Sequence, residues 1–356
     1  MNRDPILIRV DGTQQSGRDN LCRCMMLALA LQRRRRPTYF VSRLEPNLLA
    51  LQIKRAGHEW LNAMHPAGTP EDLEDLIRQV HRLRPAAVVV DIDDVSEGYL
   101  TELRATGTTV INLDQAGQIR FPSRLVINPL LAPGKANYEF LPGTQLLLGS
   151  RYALVRSEIR RVRPLRAQEP PNQFRALIAL GEDDPNDQVL EYAKFMLNVP
   201  RVERVYVAVR SFHHRFDELK ELAGASEGRL EIASEPSELT AKVARCHFAL
   251  TSGNGLSLEL ACVGVPQLII LQSEVFLPNA QRLDEEGAAN CLGWHENVSA
   301  QTLRQSLQNL VSDNLERQAM ARCGRKLIDA RGSDRLVTAI EILLHAAQRT
   351  ELSEAA

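Results

Sequence analysis

A chain of 356 residues, 44% hydrophobic and 24% charged, is too long for one ordinary domain and suggests two of roughly 150 residues each. Its apolar content is enough to bury cores, which excludes intrinsic disorder as the main state. The 43 basic and 44 acidic side chains leave a formal charge of -1, which argues against nucleic acid or an anionic membrane as the main partner.

The apolar run from Ile6 to Val10 is too short for a signal-peptide core. It ends at Asp11-Gly12, so it reads as a buried strand entering a loop. Residues 17–33 place Leu21, Met25, Leu27, Ala28 and Leu31 on a helical spacing. A strand at 38–42 and a helix at 46–56, closed by Gly57, follow. The helix at 70–83 carries acidic residues in its first turn, where they suit the helix dipole. Residues 86–91 (AAVVVD), 108–113 and 124–128 read as further strands.

Residues 160–173 change character: the segment is basic, carries three prolines and has no periodicity, as a linker does. Strands are then predicted at 175–180, 202–209, 229–232, 247–251 and 267–271. Helices are expected at 186–197, 212–223, 237–245, 256–263 and 278–286, with a helical tail over 300–347 broken near Gly332. Strands that alternate with helices imply parallel sheets covered on both faces. Ligands of such sheets sit beyond the carboxyl ends of the strands.

No stretch approaches the roughly 20 apolar residues of a membrane span. The six cysteines form no CxxC pair and no zinc pattern, so they read as reduced thiols of a cytoplasmic protein without a metal centre. Asp91, Asp93 and Asp94 read as loop-capping carboxylates in preference to metal ligands. Arg33 to Arg36 reads as a solvated helix end. His213-His214 reads as a surface pair, with a replacement acid/base as the alternative. Arg151 and Arg156 are equally compatible with a structural role and with contact to sugar or phosphate.

Five segments carry a family resemblance. They are Ser16-Gly17 through Arg23-Cys24 and Leu27-Ala28; Asn128 to Ala132 with Gly149, Tyr152, Leu154, Arg156 and Glu158; residues 181–186 (GEDDPN); residues 252–266 (SGNGLSLELACVGVP); and Pro278-Asn279-Ala280. In order and spacing they resemble the UDP-releasing nucleotide-sugar hydrolases of pseudaminic acid biosynthesis, from Asp11 to about Gly293. The resemblance implies an α/β, GT-B-like fold: two Rossmann-like domains with parallel sheets facing a central cleft. The expected division is 1–160, a linker at 161–173, a nucleotide-binding domain at 174–331, and a helix at 332–356 packing back across the domains. The implied ligand is UDP or a UDP-sugar, with no cofactor. Gly17, Gly181, Ser252, Gly253, Asn254, Gly255, Glu259 and Asn279 are the implied nucleotide contacts, Glu259 toward the ribose.

The sequence departs from that family at polar positions. Asn20 stands where the family carries a histidine, and an amide cannot act as a general base. Asp19 is the neighbouring acceptor, and either residue also suits the N-cap of the helix. Glu182, Asp183 and Asp184 replace a glycine-bearing turn and would repel a diphosphate. Gly255 and Leu256 stand where the family places hydroxyls, and Val275-Phe276 where it places Asn-Gln. Three readings follow: a UDP-sugar-binding homologue of the hydrolase with reduced turnover, a catalytically inactive protein partner or regulator, and a glycosyltransferase with an acceptor other than water.

Overall fold

A computed structural model describes residues 3–13, 18–165, 172–181, 184 and 186–354. The chain divides into two compact units, Met1–Leu154 with Arg331–Ala356, and Val155–Ala330.

The N-terminal unit runs β1 (Ile6–Val10), α1 (Asp19–Arg33), β2 (Thr38–Ser42), α2 (Leu48–Arg55), β3 (Glu59–Asn62), α3 (Pro70–Leu83), β4 (Ala87–Asp91), α4 (Glu97–Ala105), β5 (Thr109–Leu113), β6 (Arg120–Phe121), β7 (Leu125–Asn128), β8 (Glu139–Phe140) and β9 (Gln145–Leu148). Among the described residues its main sheet has seven parallel strands in the order β3-β2-β1-β4-β5-β7-β9. Central strands β1, β4 and β7 are buried along their whole length, which explains their continuous apolar sequences. Pro70 and the Thr69 side chain, which accepts from the Asp72 N–H at 3.2 Å, start α3. Ser96 caps α4 in the same way at 3.1 Å.

A charged residue inside β1 breaks the apolar pattern. Arg9 is fully buried on β1. Its guanidinium donates to Asp72 Oδ1 at 2.7 Å, to Asp11 Oδ1, and to the Val41 carbonyl at 3.1 Å. Tyr99 donates to the other Asp72 oxygen at 2.8 Å, and burial together with the Asp72 charge pushes its phenol well above the usual range. Asp11 also accepts from the Arg43 and Ala67 N–H groups. The loops after β1 and β3 are thus tied to a buried ion cluster.

The C-terminal unit opens with α5 (Ser157–Val162) and continues β10 (Phe174–Ala179), α6 (Val189–Leu197), β11 (Val202–Ala208), α7 (Phe216–Ala225), β12 (Leu230–Ala233), α8 (Pro236–Arg245), β13 (Phe248–Thr251), α9 (Gly255–Val263), β14 (Gln267–Leu271), α10 (Leu277–Glu285), β15 (Asn290–Trp294), α11 (Ala300–Ser312) and α12 (Asn314–Leu327). Among the described residues its sheet is parallel, in the order β12-β11-β10-β13-β14-β15. Both units are therefore Rossmann-like α/β folds.

Several expectations need adjusting. The predicted linker begins as helix: α5 starts at Ser157, and Arg163 donates to the Ile328 and Arg325 carbonyls within the C-terminal unit. Residues 166–171 lie outside the described residues. Helix α6 starts at Val189 and not at 186, because Asp184 and Asp187 both have positive φ, at 39° and 53°. Asp184 caps the later start, accepting from the Val189 N–H at 2.8 Å. Glu182 and Asp183, the rest of the acidic turn, lie outside the described residues.

The last helix, α13 (Gly332–Glu354), belongs to the N-terminal unit. It buries Leu336, Val337, Ile340 and Leu344. Its Glu341 receives Arg36 at 2.8 and 3.1 Å, so the last arginine of the basic run is buried and paired where a solvated helix end was expected. At Gly332 an added Cβ would lie 2.1 Å from the Ala153 carbonyl oxygen. Backbone cannot give way as a side chain does, so Gly332→Ala is expected to destabilise this unit by about 1–3 kcal/mol. Thermal unfolding of the variant checks this.

Candidate functional site

Each sheet has a point where the chain reverses its direction of winding, and the loops flanking it diverge to leave a crevice. In the N-terminal sheet this point lies between β1 and β4. In the C-terminal sheet it lies between β10 and β13. The residues singled out from the sequence cluster at these two places, and each unit is described by itself.

In the N-terminal unit, Asp19 and Asn20 are the first two residues of α1, with Arg18 and not either of them in the N-cap position. Asp19 is half-buried and Asn20 is buried. Asn20 Nδ2 donates to Asp93 Oδ1 at 2.8 Å, and Asn20 Oδ1 accepts from Gln115 Nε2 at 3.3 Å. This amide links the loops after β4 and β5 to the start of α1, across the switch point. Below it, Arg23 pairs through Nε and Nη2 with both oxygens of buried Asp91, and Cys24 donates to Asp91 at 3.2 Å. Burial, with the Asp91 charge beside it, pushes the Cys24 thiol well above its ordinary range, which favours the protonated thiol. Tyr138 donates to Asp114 Oδ2 at 2.7 Å and receives Asn128 Nδ2 at 3.0 Å. Gly17 lies outside the described residues.

In the C-terminal unit, Gly181 follows β10 with φ 120°. Across the switch point, residues 252–254 form the turn between β13 and α9. Gly253 needs its φ of 81°, and a Cβ there would lie 2.8 Å from Ala280 Cβ. Asn254 is the N-cap, accepting from the Leu256 N–H at 3.1 Å, and Gly255 opens the helix. Asn279 is buried and donates to the Gly253 carbonyl at 2.6 Å, so it braces the turn. The Ser252 hydroxyl is buried and has no hydrogen-bond partner among the described residues.

Glu259 differs from its expected role. It is buried, and its carboxylate is taken by Arg156: Nε at 3.0 and 2.9 Å, and the backbone N–H at 2.7 Å. A carboxylate so occupied presents no ready acceptor to a ribose. His213 is buried, with Nε2 4.0 Å from Asp184, and His214 is bound to Asp187 at 2.8 Å, so the two do not form an exposed pair. The Arg215 hydrogen bonds pull the Asp187 carboxyl down to about 2. Sequence reading took Asp93 as a loop-capping carboxylate, and it gave neither Gln115 nor Arg9 a role; the structure ties Asp93 and Gln115 to Asn20. The spacing of Asp93 from Asp91 marks only a strand end, and nothing in the sequence gives Asp93 a partner 73 residues away.

Comparison with known proteins fixes the fold. No protein-family model matches the chain. A curated relative, the spore coat polysaccharide biosynthesis protein SpsG of Bacillus subtilis (strain 168), is 27% identical over 168 residues. That match covers 46% of this chain and 48% of SpsG, so it spans about half the length of the relative. Among solved structures, MurG of Acinetobacter baumannii superposes with a TM-score of 0.63 at 13% identity, covering 95% of this chain and 99% of that one. The spinosyn rhamnosyltransferase SpnG complexed with thymidine diphosphate gives 0.63 at 15% identity, over 95% and 100%. The UDP-GlcNAc 2-epimerase of Neisseria meningitidis, bound to UDP-GlcNAc, gives 0.66 at 12% identity, over 94% and 99%. The chain has the GT-B fold. That fold serves an epimerase as well as transferases, so it does not by itself choose the reaction.

Proposed function

We propose that this protein is a nucleotide-sugar-dependent glycosyltransferase of polysaccharide biosynthesis. The observation that carries the reading is the turn at residues 252–255. A glycine-bearing turn at a switch point opens onto the N-terminus of α9, and the Ser252 hydroxyl there has no partner among the described residues. A glycine-bearing turn, the positive end of the helix dipole and an uncommitted hydroxyl together suit a diphosphate. We assign Gly181, Ser252, Gly253, Asn254 and Gly255 to that ligand, with Asn279 bracing the turn. The likeness to SpsG supports a role in polysaccharide assembly, and the transferase neighbours support glycosyl transfer. Hydrolysis, the reaction implied by the resemblance to the pseudaminic acid enzymes, gains nothing from these neighbours. It is the same displacement with water as acceptor. The cysteines, read as reduced thiols, suit a cytoplasmic setting, and no helix among the described residues is long and apolar enough to cross a membrane.

The Arg156–Glu259 pair favours a second reading, a non-catalytic homologue acting as a partner or regulator, because it closes a carboxylate that a nucleotide would otherwise use. One experiment separates the two. The full chain is incubated with a panel of UDP- and dTDP-sugars, with and without alcohol or glycan acceptors, and free UDP or dTDP is measured. Acceptor-dependent release is the expected result. No release from any donor, with water or with acceptor, would leave the second reading.

A further inference from the structure

The carboxylates at the carboxyl edge of the N-terminal sheet differ in what they are free to do. Asp11 accepts from Arg9, from the Arg43 N–H and from the Ala67 N–H, on both oxygens. Asp91 is buried and has both oxygens on Arg23. Asp114 takes Tyr138 and two backbone N–H groups on Oδ2, closing its own turn. Those three hold the fold. Asp94 is exposed, and no hydrogen bond orients it among the described residues.

Asp93 alone of this group is both exposed and held. Its Oδ1 receives Asn20 Nδ2 at 2.8 Å, and Asn20 is fixed from behind by Gln115 at 3.3 Å. Both amides are buried, so the relay is anchored in the unit's interior. Its Oδ2 accepts no hydrogen bond among the described residues, and the residue is exposed. A carboxylate with one oxygen fixed by a donor and the other open can accept a proton from a bound hydroxyl. An amide at position 20 cannot titrate, but it can aim a neighbour that does.

We propose that Asp93 is the general base of this protein, and that Asn20 and Gln115 are positioning residues. The assignment rests on the transferase reading and names the acceptor class, a hydroxyl compound. In the step, Asp93 Oδ2 takes the proton of the acceptor O–H. The acceptor oxygen bonds to the anomeric carbon, and the bond from that carbon to the diphosphate oxygen breaks. The bonding pair leaves with the nucleoside diphosphate, and Asp93 returns its proton to solvent.

The test uses the full chain and the donor that the panel identifies. Asp93→Ala is expected to lower kcat by about 10²–10⁴-fold, while affinity for UDP or dTDP and the melting temperature stay near the parent's. Sodium formate, a small replacement carboxylate, is expected to restore part of the lost rate. Asn20→Ala is expected to lower kcat by up to about 10²-fold through misplacement, and to add little to Asp93→Ala in the double variant. An Asp93→Ala variant that keeps kcat within about threefold of the parent, against the loss expected of a missing base, would overturn the assignment and leave the transferase reading standing. So would a folded variant that loses rate but is not rescued by formate. A parent chain that releases no nucleoside diphosphate would overturn both.

Discussion

Replacing Arg9 by methionine is expected to cost the N-terminal unit about 3–5 kcal/mol, the range for breaking a buried ion pair from one side. Arg9 is fully buried, and the change leaves Asp11 and Asp72 in the interior without their cation. Asp72 would keep the Tyr99 hydroxyl and the Gly68 N–H at 3.1 Å, which offset only part of the loss. The methionine stem fills similar volume, so the loss is electrostatic and not a cavity effect. Denaturant unfolding, followed by a probe in the N-terminal unit, reads the change. A loss below about 1 kcal/mol, the scale of an exposed pair, would show that water reaches the cluster. Asp11 also ties down the loop after β1, so the variant is expected to loosen the approach to α1 as well.

The second large effect is expected in the C-terminal unit. Arg156→Met leaves the Glu259 carboxylate buried with a single backbone N–H at 2.7 Å. A cost of about 3–5 kcal/mol is expected, and the double variant Arg156→Met with Glu259→Met is expected to recover most of it, because a hydrophobic pair of similar volume often matches a buried ion pair. Recovery in the double variant would establish the pair as a structural element of this unit. A double variant as unstable as the single one would instead point to a polar requirement around α9 beyond the pair.

Much of the architecture was legible in the sequence because a buried parallel strand is written as a continuous apolar run. β1 and β4 are plain for that reason. Of the strands that sequence reading passed over, β6 and β8 are two residues each and form a small sheet of their own, while β3 (EWLN), β9 (QLLL) and β15 (NCLGW) lie at the edges of the main sheets and are only partly buried. Their residues need not all be apolar, so they lack the signal. Helix α4 was missed because EGYLTELRA contains glycine and a threonine and buries only Tyr99, Leu100 and Leu103. The glycine turn at 252–255 was legible because its conformation requires glycine at Gly253. What Asn20 and Glu259 do was not legible. The sequence shows an amide and a carboxylate, but the partners that define them, Asp93 and Arg156, lie 73 and 103 residues away.

Calorimetric titration of the full chain with UDP and dTDP tests most directly whether a sugar-diphosphate ligand is bound at all. The account predicts one-to-one binding of at least one of them, with Kd between about 1 µM and 1 mM, the usual range for enzyme ligands. It also predicts about 3–10-fold weaker binding after Ser252→Ala, equivalent to one lost hydrogen bond. Absence of heat with either nucleotide at ~5 mM, above that range, would contradict it.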